Sequence, residues 1–353
     1  MKVALAYKNL KAANPVLSHI GLGVTAHHTE LSLSAAGIPA EAWAVVDGRH
    51  LWNKLADRPD ITHVVAFAPY MDTPFTERLA GHFPKVSFAV NCHSNVGFLQ
   101  ADRNAVKLVR EGLLLEQRVG NFSVAGNSLK FCDWVKEAYG APCTFLPNLY
   151  YLGTASCPRR PIYREGTLRL GIFGATRVQK NIMSAAAAAL VIARQVAAEN
   201  AEIWVSSDRV EGGQGVMASV KEMLSNVARV RLIEAGWHGW PEFRQLAGRM
   251  HLLLQPSYTE SFNMVTADGV AEGVASVVSS AIDWAPKYWQ ACADTVLDIA
   301  RVGRQLLRDP DAAADGYRAL QAYTRAGLAA WKAYLTSAIL PGNTPRSTLR
   351  IAA

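Results

Sequence analysis

Two acids stand eight positions apart in one stretch of the chain, Pro256-Ser257-Tyr258-Thr259-Glu260-Ser261-Phe262-Asn263-Met264-Val265-Thr266-Ala267-Asp268. Glu260 falls just past a short apolar run, at the carboxyl end of an expected strand. Asp268 falls on the helix that the intervening loop opens. The backbone N–H groups of Ser261, Phe262, Asn263 and Met264 then sit at a helix N-terminus, which favours anions. Two carboxylates beside such a terminus can hold a ligand that carries both hydroxyls and phosphates. The plainer alternative is a capping acid and a solvated acid. His27-His28 invites a metal reading, but adjacent residues on a helix point about 100° apart and do not share one ion. The chain has no H-E-x-x-H, and no metal site is expected. The five cysteines, Cys92, Cys132, Cys143, Cys157 and Cys292, are scattered with no C-x-x-C pair. That argues against a disulfide framework and for a reducing cytoplasm.

The elements that position these residues follow from short apolar runs alternating with longer amphipathic stretches. Strands are expected over 2–7, 42–46, 62–68, 86–91 and 122–125, with helices over 24–36, 105–115 and 129–139. A loop rich in Asn, Pro and Gly, 9–23, precedes the first helix and ends in Gly21-Leu22-Gly23. After a Pro/Arg segment at 157–161 the alternation restarts, with strands over 168–173, 202–206, 230–234, 252–255 and 275–279. The helices of this half are expected over 184–198, 265–272, 295–307 and 316–335. Such alternation implies parallel sheets covered by helices on both faces. The expected fold is α/β, with two Rossmann-like doubly wound domains facing a cleft and ligands at the carboxyl ends of the strands. The boundaries read as 1–160, 161–335 and a polar tail, 336–353.

Composition bounds this picture. At 353 residues the chain fits two domains of roughly 150 each. Half of it is hydrophobic and 18% charged, which excludes global disorder. No apolar run approaches the roughly 18 residues of a membrane span, and the N-terminal run is too short for a signal-peptide core. The net charge of +7 is shared, +4 up to residue 162 and +3 beyond it. It suits a phosphate-bearing ligand, an anionic membrane surface or nucleic acid, without choosing among them. A modestly basic cytoplasmic protein is the plain alternative. No exposed amphipathic helix stands out as a membrane anchor.

The acid-pair stretch resembles the E-x7-E segment of family 4 glycosyltransferases of the GT-B fold. Pro256-Ser257, Glu260, Phe262 and Gly273 are in register, whereas Ser261, Asp268 and Ala275 stand where the family has Gly, Glu and Pro. The resemblance implies that Glu260 contacts the hydroxyls of a donor sugar and that Asp268 binds the nucleotide ribose. Gly171-Ile172-Phe173-Gly174-Ala175-Thr176-Arg177-Val178-Gln179-Lys180-Asn181 resembles the strand and loop whose Arg and Lys grip the donor diphosphate. Fixed cations there stabilise the charge that a departing nucleoside diphosphate gains. His93, in Val90-Asn91-Cys92-His93, matches the family's cleft histidine near the donor sugar, and a structural histidine is the alternative. Gly21 and Gly23 sit where many members place a glycine pair near the phosphates or the acceptor; alone, a G-x-G is weak evidence. Asn127-Ser128 and Leu146-Pro147-Asn148 resemble the positions that close the first domain. Trp237 and Trp240 fall in the region of the family's base-binding loop, where one could stack on a base. The helix over 316–335 resembles the terminal helix that crosses back to the first domain, with Trp331 as its anchor.

Together with the residues above, the resemblance implies a metal-independent glycosyltransferase. It would take a sugar from a nucleotide-diphosphate sugar, a UDP-sugar above others, as co-substrate with no cofactor, and would retain the anomeric configuration. His93 and Glu260 are the expected catalytic residues. Gly21, Gly23, Arg177, Lys180, Ser261, Phe262, Asn263, Met264, Asp268 and Trp237 form the expected donor site. Arg177 and Lys180 are expected to face the cleft, so that their removal leaves folding little changed. The acceptor is a glycan or lipid hydroxyl, or a hydroxymethylated base in DNA; Arg159, Arg160, Arg164, Lys8 and Lys11 are the candidates for contacting it. Peripheral contact with a membrane remains compatible. A sugar-nucleotide epimerase or hydrolase, or a non-catalytic sugar-nucleotide-binding module, are the alternatives.

Overall fold

The computed structural model describes residues 1–9, 20–100, 102–154, 156–158 and 162–337. The chain divides into two compact units, Met1–Tyr151 with Tyr323–Ala353, and Leu152–Ala322.

The first unit alternates strands and helices: β1 (Val3–Lys8), α1 (Ile20–Ala35), β2 (Ala40–Val45), α2 (Gly48–Ala56), β3 (His63–Phe67), α3 (Thr73–His82), β4 (Ser87–Cys92), α4 (Val96–Leu99), α5 (Arg103–Glu116), β5 (Phe122–Gly126), α6 (Leu129–Tyr139) and β6 (Thr144–Phe145). Its six strands lie in the order β2-β1-β3-β4-β5-β6, and every pairing is parallel. Successive β1 side chains enter opposite cores, Ala4 and Ala6 on one face and Val3 and Leu5 on the other. That is why β1 reads as a continuous apolar run. Asp47, Asp72 and Asp102 begin α2, α3 and α5 by accepting backbone N–H bonds from His50, Phe75 and Ala105 at 2.8, 2.7 and 2.9 Å. Gly140 ends α6 at φ 60°, a conformation that favours glycine.

The second unit contains β7 (Thr167–Ile172), a 3₁₀ turn (Val178–Lys180), α7 (Ile182–Gln195), β8 (Asn200–Ser206), α8 (Val216–Leu224), β9 (Val230–Ala235), α9 (Trp240–Ala247), β10 (Leu252–Gln255), α10 (Met264–Ala271), β11 (Ser276–Val278), a 3₁₀ turn (Lys287–Trp289) and α11 (Val296–Arg308). Its strand order, β11-β10-β7-β8-β9, is again all parallel. The order reverses between β7 and β10, which makes their carboxyl ends the topological switch point where doubly wound sheets take ligands.

The last helix, α12 (Ala312–Thr336), starts in the second unit and ends in the first. Trp331 is fully buried there, donates its indole N–H to Pro147 O at 2.9 Å, and shares a core with Tyr334, Leu335, Leu146 and Leu149. Truncating such a ring costs about 3–5 kcal/mol. The boundary therefore falls at 151/152, and residues from 323 on count with the first unit, unlike the contiguous 1–160 and 161–335 expected from sequence. Composition marks the Pro/Arg segment, whereas the return of the terminal helix to the first unit was implied only by the family resemblance.

Candidate functional site

The switch point of the second unit gathers the residues of the acid-pair stretch. β7 leads into Gly174 at φ 117°, then into the turn that carries Lys180. β10 leads into Pro256 and Glu260. The two loops are tied together at several points. Asn181, at φ 56°, donates its amide to Pro256 O at 3.0 Å and to Ala293 O at 2.6 Å. Tyr258 N–H donates to Gln179 O at 2.9 Å, and Gln255 Nε2 donates to Phe173 O at 3.1 Å. These bonds fix Lys180 opposite Glu260.

Three donors converge on Glu260 Oε1: Lys180 Nζ at 2.5 Å, Ser257 Oγ at 2.8 Å and Asn263 Nδ2 at 2.9 Å. The side chains of Lys180 and Glu260 are 14% and 6% exposed. Lys180 is not a solvated cation: its ammonium is largely covered and answers a buried carboxylate. A charge taken from water must find a partner of this kind, and residue type and spacing alone do not reveal burial. Ser257 is itself held by its carbonyl, which accepts from Ser279 Oγ at 2.5 Å.

Asn263 occupies the left-handed region at φ 71° and caps α10, its Oδ1 accepting from Thr266 N–H at 2.8 Å. Its short polar side chain tolerates that backbone and bonds locally. Ser261 and Phe262 complete the turn; the Phe262 ring stacks on Trp284, whose indole donates to Phe262 O at 2.6 Å. Met264 is the first residue of α10. One turn further, Asp268 is buried and accepts at Oδ1 from the Trp240 indole at 3.0 Å. The Arg244 guanidinium lies over the Trp240 ring at 5.4 Å and pairs with Glu272 at 2.5 Å. The Trp240–Asp268 bond was not foreseeable, because the two residues are 28 positions apart and share no motif.

The other aromatic of that loop is arranged differently. Trp237 is 38% exposed, with the Arg209 guanidinium over its ring at 5.1 Å. Its backbone N–H donates to Asp208 Oδ2 at 3.1 Å. Arg177 pairs with Glu211, and Glu211 pairs in turn with Arg209. Glu211 and Arg209 belong to no motif that sequence reading singled out; the Gly212-Gly213 turn beside them was the available signal.

In the first unit His93 follows β4. Its ring lies 4.7 Å from Phe67, the last residue of β3, and its Nδ1 is 3.3 Å from Asn127 Nδ2. Asn127 also donates to Asn148 Oδ1 at 3.1 Å, and Asn91 donates to Leu146 O at 2.9 Å. A polar row thus runs along the carboxyl ends of β4, β5 and β6. Burial holds the His93 imidazole down at about 3, so it is neutral near pH 7. Lys8 ends β1 and is half-buried.

Gly21 and Gly23 do not lie in a loop ahead of the first helix, as the sequence suggested. They form the first turns of α1, where Thr25 Oγ1 donates to Gly21 O at 2.8 Å. A Cβ at Gly23 would meet the Tyr7 ring at 3.0 Å, so glycine serves a close approach of helix to β1 here. Arg164 is exposed in the second unit. Lys11, Arg159 and Arg160 lie outside the described residues. Among the described residues no three His, Cys, Asp or Glu side chains are grouped to hold a metal ion. His28 instead stacks on Tyr150 at 3.9 Å and accepts at Nδ1 from Tyr151 N–H, while His27 faces Glu30.

The fold of this chain has counterparts among solved structures. A sucrose-phosphate synthase from Thermosynechococcus elongatus is 12% identical, covers 95% of this chain and 99% of its own, and has a TM-score of 0.64. WaaG, a glycosyltransferase involved in lipopolysaccharide biosynthesis, is 13% identical over 97% and 100% of the two chains, with a TM-score of 0.58. The trehalose-6-phosphate protein from E. coli bound with UDP-2-fluoro glucose is 10% identical over 97% and 100%, also at 0.58. The fold is therefore GT-B, two parallel-sheet α/β units of Rossmann-like type. No family model and no curated protein matches the sequence.

Proposed function

We propose that this protein is a glycosyltransferase that moves a sugar from a UDP-sugar to an acceptor hydroxyl, with retention and without a metal. The observation that carries the reading is the Lys180–Glu260 pair, held at the switch point of the second sheet and one loop from the start of α10. WaaG, by description a glycosyltransferase, and the E. coli protein bound with UDP-2-fluoro glucose support it.

In this reading Lys180 and Arg177 stabilise the charge on the departing diphosphate. Glu260 accepts from sugar hydroxyls, and the N–H groups of Ser261, Phe262, Asn263 and Met264 add the positive end of α10. Trp237 offers a ring for the base, and Asp268 serves the ribose with one oxygen already taken by Trp240. In the first unit, neutral His93 bonds a hydroxyl of donor or acceptor, with Gly21 and Gly23 near the phosphates or the acceptor. The acceptor hydroxyl belongs to a glycan, a lipid or a hydroxymethylated base, and the reaction is cytoplasmic, with peripheral membrane contact if the acceptor is a lipid.

The deciding experiment is turnover of a panel of nucleotide sugars against glycan, lipid and hydroxymethylated DNA acceptors, with and without EDTA. Transfer that survives EDTA is expected. Free or epimerised sugar without an acceptor would point to a hydrolase or epimerase, and UDP binding with no turnover to a binding module. A DNA acceptor would show binding that weakens with salt by roughly 0.9 log units per phosphate contacted. It would also be sensitive to charge reversal at Lys8, Lys11, Arg159, Arg160 and Arg164.

A further inference from the structure

The loops that leave β7 and β8 are joined by a short parallel pairing. Thr176 N–H donates to Arg209 O at 2.7 Å, and Glu211 N–H donates to Thr176 O at 2.9 Å. Gly213 permits this approach, since a Cβ there would come within 2.8 Å of Thr176 O. The pairing brings three side chains together. Glu211 Oε2 takes the Nε and Nη2 of Arg177, and Glu211 Oε1 takes the Nε and Nη2 of Arg209. One carboxylate thus sets the planes of two guanidiniums. The cluster is partly shielded, with side-chain exposures of 30%, 29% and 16% for Arg177, Glu211 and Arg209. Arg209 extends it to Trp237.

We infer that Glu211 is a positioning residue for the diphosphate of the donor, framing Arg177 and Arg209 before the ligand arrives; the inference rests on the donor reading above. Two effects of opposite sign act at this carboxylate. Its negative charge repels a diphosphate. Its two forks hold the rigid guanidinium planes and spare the entropy of ordering two long side chains on binding. A residue that merely balanced charge would weaken donor binding by its presence. A framing residue strengthens it, because the frame leaves an ordered cationic edge for the phosphates.

The two roles predict opposite outcomes for Glu211→Gln, which keeps the shape and removes the charge. The assay is the Kd for UDP and for uridine, measured by calorimetric titration of the full chain, with Glu211→Asp and Arg177→Ala alongside. E211Q should weaken UDP binding roughly tenfold and leave uridine binding unchanged. E211D, which keeps the charge but withdraws it by one methylene, should lose UDP affinity too, and this variant carries the test if E211Q does not fold. UDP binding by E211Q as tight as wild type or tighter overturns the inference, as does an equal loss for uridine. R177A separates the two levels. If R177A loses UDP affinity and both Glu211 variants keep it, the donor reading stands and the framing role falls. If the wild type does not prefer UDP to uridine, or R177A binds UDP normally, the diphosphate grip itself is wrong and this inference goes with it.

Discussion

Replacing Lys180 by Met keeps an apolar stem and removes only the ammonium 2.5 Å from Glu260 Oε1. With the two side chains 14% and 6% exposed, water does little to replace it. Removing one partner of a buried pair costs about 3–5 kcal/mol, because the other charge is left uncompensated. Glu260 keeps the Ser257 hydroxyl and the Asn263 amide, at 2.8 and 2.9 Å. Bonds of that kind to a charged acceptor are worth about 1.5–3 kcal/mol each, which puts the expected loss at the low end, about 3 kcal/mol. For a unit of this size that corresponds to a drop of roughly 6–12 °C in melting temperature. Adding Glu260→Gln removes the stranded charge, so the double variant should regain at least half of the lost stability. Turnover should behave otherwise, falling roughly 10²-fold in K180M and staying low in the double variant. Scanning calorimetry and transfer from a UDP-sugar read the two effects separately. A double variant no more stable than K180M, or K180M that melts with the wild type, would refute the reasoning.

Three further outcomes follow from the same structure. Burial holds His93 at about 3 and His63 at about 4, both below the ordinary 6.5. The unfolded chain therefore takes up protons first, and the stability that is full above pH 6.5 is lost as pH falls from there toward 4. Urea unfolding at pH 7.5 and pH 5 should differ by roughly 2 kcal/mol per histidine at most; equal or higher stability at pH 5 contradicts the assignment. At Asn263, φ 71° and the cap on Thr266 both favour Asn. Asn263→Ala and Asn263→Gly both lose the cap and the bond to Glu260, but Asn263→Gly should be less destabilised by about 1 kcal/mol, since Gly accepts the backbone at no steric cost; the reverse order in calorimetry would contradict the left-handed backbone at this position. Cys292 is exposed, whereas burial pushes the Cys92 thiol up to about 12. Iodoacetamide on the native protein at neutral pH should label Cys292 and spare Cys92 by peptide mass mapping.

Much of the alternation was legible because a parallel strand buried on both faces is a continuous apolar run. The expected 129–139 and 252–255 coincide with α6 and β10. The helices α8 and α9 went unread: Val216–Leu224 is short and capped by no side chain, and α9 opens on Trp240-Pro241 among turn residues. The first helix begins at Ile20 rather than 24, because glycines tolerated at a helix start look like loop residues when the Tyr7 ring they approach is out of sight. At the candidate site, type and spacing drew attention to Glu260, and the family resemblance named Lys180. Their mutual burial could not be read, since it depends on Asn181 and Gln255 tying two loops 75 and 82 residues apart in sequence. Glu211 was missed for the same reason, as the pairing of Thr176 with Val210 is what brings it to Arg177.

The helix α12 makes the first unit discontinuous in the order of synthesis. Trp331, Tyr334 and Leu335 fill a core whose strands were made about 200 to 330 residues earlier. At ~5–20 residues per second, a ribosome needs on the order of 10–40 s to supply them after Tyr151 has been made. During that interval Val3, Leu5, Val65 and Leu146 have one wall missing, while the second unit has its whole sequence available as soon as Ala322 emerges. The unit made first is thus the one completed last. An expression fragment that stops at residue 151 reproduces that unfinished state, and one that carries residues 323–337 as a separate peptide supplies what it lacks.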